Sequence, residues 1–301
     1  MKNFLIVTGG AGFIGSNLIE LLVKKTKFKI ISLDNYSTGI VHNHIANNRV
    51  RYLRGQTKNI KLKLDKYKNN IHTLFHFAEF SRIHQSFFNI KDCFDSNIVG
   101  TKNVLEFCIK NKIEIIYSAT SANLGNSGKD ENLSPYALTK ANNLKLILNL
   151  NKWLNLKYKI IYFYNVYGPK QIINSTMSAV IGIFEHHFKN DKPIPVVYPG
   201  TQKRKFTHVQ DTVEACYHAW KNKTGLHYSI ANKNSHSILE IAKMFSKKIK
   251  IIAPRKGERQ DSKVPNKFLN NKIIKLQAMI DIKEYIKNIK STLNADKNIN
   301  I

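Results

Sequence analysis

Short β-branched apolar runs alternate with longer amphipathic stretches, which predicts an α/β fold: a doubly wound parallel sheet with a smaller irregular C-terminal lobe. Three observations carry this. The alternation repeats through the first half of the chain, and a glycine-rich decapeptide, VTGGAGFIGS at 7–16, joins the first strand-like run to the first helix-like one. After Pro169 the alternation breaks into shorter segments, with four of the seven prolines between 169 and 199.

Taken in order, the expected strands are Phe4–Thr8, Lys29–Leu33, Val50–Leu53, His72–Ala78, Glu114–Ser118 and Lys159–Tyr164, each an apolar run of strand length. The expected helices are Phe13–Lys25, Ser96–Lys110 and Tyr136–Leu154. The second of these opens near Asp95 and Ser96, either of which suits an N-cap. The implied organisation is a nucleotide-binding domain over 1–168, rejoined by 205–224, and a second lobe made of 169–204 and 225–301.

The 301 residues, 43% of them hydrophobic, suffice for a substantial core. No run approaches the roughly 20 apolar residues of a membrane span, and the first apolar run starts too early for a signal peptide, so the expected location is the cytoplasm. Cys93, Cys108 and Cys216 lack metal-ligand or C-x-x-C spacing and read as reduced thiols, with no metal expected. A net charge of +28 admits a polyanionic partner. The excess is spread evenly, 21 basic against 10 acidic residues in 1–150 and 27 against 10 in the remainder, which disfavours a nucleic-acid-binding tail or patch.

Gly9, Gly12 and Gly15 form G-x-x-G-x-x-G, and Gly10, Gly12 and Gly15 also satisfy G-x-G-x-x-G, between a strand and a helix. Bare backbone there lets amides and a helix N-terminus approach a pyrophosphate. Asp34 closes the second strand 19 residues beyond Gly15, where a carboxylate accepts bonds from a ribose diol and repels a 2′-phosphate. The pair predicts NAD rather than NADP, on a Rossmann-type sheet. A second motif, YALTK, sets Tyr136 and Lys140 one helical turn apart just after Pro135. That spacing sets the lysine ammonium beside the phenol on one helix face, and with an oxidised nicotinamide nearby the phenolate is favoured, so Tyr136 can serve as a base.

With TGGAGFIGS and Asp34, the segments FHFAEFSRIHQS (75–86), NIVGTKNVLEFC (97–108), YSATSANLG (117–125), YALTK, YNVYGP (164–169), RKFTHVQD (204–211) and RKGE (255–258) follow in order along nearly the whole chain. In this the chain resembles the extended short-chain dehydrogenase/reductase superfamily, in its nucleotide-sugar epimerase and dehydratase branch. The resemblance implies a catalytic set of Thr120, Tyr136 and Lys140, with Thr120 bonding the reacting sugar hydroxyl. It implies cofactor contacts at Gly9, Gly12, Phe13, Ile14, Gly15, Asp34, Asn35, Phe77, Ala78, Glu79, Tyr136 and Lys140. Asn165, Arg204 and Arg255 would hold the diphosphate of a nucleotide-diphosphate sugar, arginine offering paired charge-assisted bonds.

Four positions depart from the pattern. Gln56 stands where an aspartate usually meets adenine, Tyr162 where arginine is frequent, and Leu124 where tyrosine usually precedes Gly125. Glu79 stands where a small residue is usual, and it is either catalytic, turned outward or, the favoured reading, ion-paired with Arg82. Beside Thr120 lie Ser121 and Ala122, where the branch's 4,6-dehydratases and decarboxylases carry a carboxylate. The implied activity is 4-epimerisation through a transient 4-keto sugar, in the supply of surface polysaccharide precursors. A 4,6-dehydratase or reductase using Glu79 is the alternative, and a non-catalytic dinucleotide-sensing or nucleic-acid-binding protein a second. Residues 144–156, LKLILNLNKWLNL, are apolar around most of a helix, and with Ser96–Lys110 they predict a homodimer.

Overall fold

The structure is a computed structural model and describes residues 2–123, 130–222, 226–258, 265–268 and 271–299. Leu124 and Gly125 lie outside the described residues. Six strands build the centre: β1 (Phe4–Thr8), β2 (Lys29–Asp34), β3 (Val50–Arg54), β4 (Ile71–His76), β5 (Glu114–Thr120) and β6 (Tyr158–Phe163). The full sheet has nine strands in the order Lys267–Phe268, Asn271–Gln277, His227–Ala231, β6, β5, β4, β1, β2, β3. All neighbours run parallel except the first two. His227–Ala231 and Asn271–Gln277, expected in the second lobe, thus extend the central sheet.

The pleat sorts the strands' side chains to two cores. Ile6, Ile31, Leu74, Ile115 and Tyr117 pack on one face with Val104, Leu105, Leu144 and Ile147. Leu5, Val7, Ile30, Phe75 and Ile116 pack on the other with Leu18, Ile19, Leu22, Val213 and Cys216. Both faces are buried, as the near-continuous apolar strands require. A third core gathers Ile181, Phe184, Ile194, Val196, Phe206, Ile241 and Phe245 beneath the irregular part of the chain.

Helix Phe13–Lys25 and strand β1 have the expected limits. The helix expected to open at Asp95 or Ser96 does not begin there. An α-helical turn over Ile90–Phe94 runs into a π-helical stretch over Asp95–Gly100 and then into Thr101–Lys110. Neither residue is a cap: the Ser96 hydroxyl instead accepts the Phe80 amide at 2.8 Å. β4 stops at His76, before the expected end at Ala78, where Phe77 N turns to Thr8 O at 3.2 Å. The helix Pro135–Leu154 is capped by Ser134, whose hydroxyl accepts Ala137 N at 3.0 Å, and Pro135 at its first turn sacrifices no helical bond. Of its apolar far end, Leu146, Leu148 and Leu150 lean on the core, while Trp153 and Leu154 are exposed.

Candidate active site

Asp34, His76 and Thr120 end their strands on the same edge of the sheet, because parallel strands all point their C-terminal ends one way. Strand order reverses between β1 and β4, and the crevice at such a switch point is where ligands bind in open α/β sheets. A cleft of about 1120 Å³ opens there. That exceeds the usual volume of one drug-sized ligand, roughly 300–1,000 Å³, and leaves room for more than one. Every expected site residue lines it: Gly9, Gly12, Phe13, Ile14, Gly15, Asp34, Asn35, Phe77, Ala78, Glu79, Thr120, Tyr136, Lys140, Asn165, Arg204 and Arg255.

The glycines are needed for different reasons. Gly9 has φ +73°, and a Cβ on it would lie 2.9 Å from the Ala78 amide nitrogen. A Cβ on Gly15 would lie 2.2 Å from Gly9 O, so only glycine lets the helix come this close to the strand. Gly12 differs, since a Cβ there would meet only Gly9 O, at 3.2 Å. The Asp34 carboxylate, buried, accepts Ala11 N at 2.9 Å and Tyr36 N at 2.8 Å, one amide per oxygen. Each oxygen keeps a lone pair, so the group braces the glycine loop and can still accept a diol. A bare loop, a helix N-terminus and this carboxylate fit a dinucleotide.

Tyr136 is held at the start of its helix by a 3.2 Å bond from its amide to the Ser86 hydroxyl. The Thr120 hydroxyl caps the turn that follows β5, accepting Ala122 N at 3.2 Å. The Lys140 ammonium bonds the Glu79 carboxylate and Ser118 O, 4.6 Å above the Tyr117 ring.

Glu79 therefore pairs with Lys140, and the expected Glu79–Arg82 pair is absent. Both partners are deeply buried, with side chains 2% and 5% exposed. The second Glu79 oxygen accepts Tyr117 OH at 3.0 Å, Asn143 Nδ2 at 3.0 Å and Thr101 Oγ1 at 3.1 Å. Burial, reinforced by the neighbouring carboxylate, keeps the Tyr117 phenol protonated, well above its ordinary pKa. His76 extends the network, its ring nitrogens 2.8 Å from Thr8 Oγ1 and 2.9 Å from Thr101 Oγ1. Burial pushes that imidazole down to about 4, so it is neutral and one nitrogen accepts. This buried layer beneath the cleft was missed from sequence. Asn143, three residues after Lys140 and so on its helix face, was the available signal.

Arg82 turns the other way, its Nε donating to Met177 O across the cleft. Asn165, at φ 38° where asparagine is among the tolerated residues, spends its amide on Lys205 O at 2.9 Å. Arg204 is buried with Glu258 3.5 Å away, and Arg255 is half-buried nearby in the cleft wall. Gln56 reaches the cleft, but Tyr162 does not line it: it is fully buried and its hydroxyl lies 3.1 Å from His227 Nδ1.

The model of the NAD dependent epimerase/dehydratase family matches residues 5–231. The chain belongs to that family. A Methanocaldococcus jannaschii protein provisionally named UDP-glucose 4-epimerase is 31% identical over 231 residues, 73% of this chain and 74% of its own. A UDP-N-acetyl-alpha-D-glucosaminuronate decarboxylase of Bacillus cytotoxicus is 30% identical over 268 residues, 80% of this chain and 79% of its own. Among solved structures, the UDP-glucose 4-epimerase of Thermotoga maritima with UDP-glucose superposes with a TM-score of 0.83 at 22% identity, over 96% of this chain and 99% of that one. Membership makes NAD the cofactor and the chain an epimerase/dehydratase-type enzyme. Epimerase and decarboxylase relatives stand within one percentage point of each other in identity, 31% and 30%, so the reaction must be argued from the residues. No helix among the described residues is long and apolar enough to cross a membrane.

Proposed function

We propose that the chain is an NAD-dependent nucleotide-diphosphate-sugar 4-epimerase. One observation carries the choice of reaction: among the described residues, the positions that directly follow Thr120 bear no carboxylate, and Glu79 is fully engaged by other donors. Ser121 and Ala122 follow Thr120 and are themselves buried. Glu79, the acid of the dehydratase alternative, accepts four hydrogen bonds and has 2% of its side chain exposed. Those four donors occupy both carboxylate oxygens and leave the group ill placed to meet the substrate, which counts against a relocated dehydratase acid.

In this reading Thr120 orients the C4 hydroxyl, and Tyr136 takes its proton onto the phenolate oxygen and later returns it. NAD, when bound in the glycine cradle, supplies a reversible hydride acceptor. Lys140, fixed by Glu79 and Ser118 O, contributes a positive charge beneath the site. Asn165, Arg204 and Arg255 bind the diphosphate, and the sugar is free to turn over between proton removal and return. A homodimer through the exposed Trp153 and Leu154 end of the Pro135–Leu154 helix belongs to the same proposal. Sedimentation showing a monomer at micromolar concentration would count against that part alone.

The test of the reaction is the product. The accepted nucleotide sugar gives a product of unchanged mass, inverted at C4, without net NADH or added NADPH, as read by mass spectrometry and proton NMR. Loss of one water would establish a dehydratase, and loss of carbon dioxide a decarboxylase. The cofactor half has its own prediction. Asp34→Ala weakens NAD binding and narrows the preference over NADP, because the carboxylate both receives the ribose diol and repels the extra phosphate. A titration with unchanged preference would leave Asp34 only its bonds to Ala11 and Tyr36.

A further inference from the structure

Arg82 stands at the mouth of the short helix Ile83–Ser86, on the cleft wall, and Ser86 at the other end of that helix anchors the Tyr136 amide. Its guanidinium spends Nε on Met177 O and Nη1 on Ser81 O at 2.9 Å and Ser81 Oγ at 3.3 Å. All three acceptors are neutral. No carboxylate lies within ion-pair distance among the described residues, in contrast to Arg204 with Glu258 at 3.5 Å. Among the described residues Nη2 meets no acceptor, and two residues on, the buried His84 Nδ1 in the wall of the same cleft has no partner either.

A cation in this position is costly. Burial pushes the Arg82 pKa down, with the charge of a nearby Tyr136 phenolate acting in the opposite direction. The pairing that would have relieved the cost, with Glu79 three residues away in sequence, is taken by Lys140. A partly desolvated guanidinium with a free edge matches a carboxylate better than any neutral group, since the bonds are charge-assisted and the geometry is planar on both sides. Arg82 shares the cleft wall with Thr120 and Tyr136, and the helix it opens holds the Tyr136 amide through Ser86, which sets the guanidinium on the proposed sugar side of the cleft.

We propose that Arg82 is the carboxylate-binding residue of the sugar subsite, and that the hexose this enzyme prefers carries an acidic substituent. The inference rests on the nucleotide-sugar reading of the cleft and adds the class of sugar. A carboxylate on the hexose occupies the free edge of Arg82 while Met177 O and the Ser81 groups hold the guanidinium plane. Neutral hexoses leave the same edge unpaired and bind less well.

The test uses the full chain with NAD and calorimetry of UDP, UDP-glucose and UDP-glucuronate, with product mass measured in parallel. The wild type binds UDP-glucuronate more tightly than UDP-glucose. Arg82→Gln weakens the uronate by roughly 10- to 150-fold, the loss of one charge-assisted bond, with UDP and UDP-glucose little changed. Arg82→Lys restores part of it. Equal or weaker binding of the uronate by the wild type, including no binding of either sugar, overturns the proposal without need of a variant. So does an equal loss of UDP affinity in Arg82→Gln, which would assign Arg82 to the diphosphate. The two readings fail separately: Arg82-dependent uronate binding followed by loss of carbon dioxide removes the epimerase and keeps the subsite, whereas C4 inversion of neutral sugars alone does the reverse.

Discussion

Replacing Tyr136 by phenylalanine lowers kcat by about 10²–10⁴-fold, the range for losing a positioned acid–base group, while NAD stays bound. The split is expected from where the residue sits. Tyr136 is 8% exposed, its ring is packed at the start of a capped helix, and its amide is tied to Ser86, so the phenylalanine ring keeps every packing contact and loses only the oxygen. Fluorescence or calorimetric titration with NAD checks the binding arm, and initial rates on the accepted nucleotide sugar check the other. Activity within tenfold of the wild type would sink the acid–base assignment and with it the proposed chemistry.

The largest stability effect is expected at Glu79. Glu79→Ala removes one half of a buried ion pair and strands the Lys140 ammonium among Tyr117, Ser118 O and a new cavity. Breaking such a pair from one side costs roughly 3–5 kcal/mol, because the remaining charge loses its compensation in a site water does not reach. Three further donors, on Tyr117, Thr101 and Asn143, lose their common acceptor at the same stroke. Thermal unfolding moves down by roughly 5–15 °C. The double variant Glu79→Ala with Lys140→Met recovers part of this, since it removes the stranded charge as well. A melting temperature within two degrees of the wild type for Glu79→Ala would mean that the pair contributes nothing net, and Lys140 would then owe its position to Ser118 O alone.

Much of the sheet was legible because its signals are local. β1 and the helix Phe13–Lys25 follow from an apolar run, a glycine turn and an amphipathic stretch, each readable in a window of a few residues. The second and fifth strands ran one and two residues beyond expectation, to Asp34 and Thr120, because ladder bonds to neighbours continue past the apolar core of each run. His227–Ala231 and Asn271–Gln277 were missed as sheet members. Their partners are β6 and each other, far away in sequence, and nothing within either segment distinguishes a strand of this sheet from one of a separate lobe. The false start at Asp95 has a similar cause: both residues have cap-forming side chains, but the upstream turn Ile90–Phe94 lets the helix run through them.

The amino-acid sequence by itself determined the doubly wound sheet, the glycine cradle with Asp34, the placement of Tyr136 and Lys140 one turn apart on a helix, and the absence of a carboxylate directly after Thr120. These depend on residue type and spacing along one strand–turn–helix, where the chain's covalent geometry already limits what can face what. Only the tertiary structure decided the partners of the charged groups. Arg82 and Glu79 are three residues apart and of opposite sign, yet they point to different sides of the cleft wall, one to Met177 O and the other to Lys140. The physical reason is that a buried carboxylate goes where most donors converge. Lys140, Tyr117, Thr101 and Asn143 arrive from a helix, a strand and a second helix that meet only when the sheet closes, and they outbid a single neighbouring guanidinium that still has carbonyl oxygens and the open cleft to face.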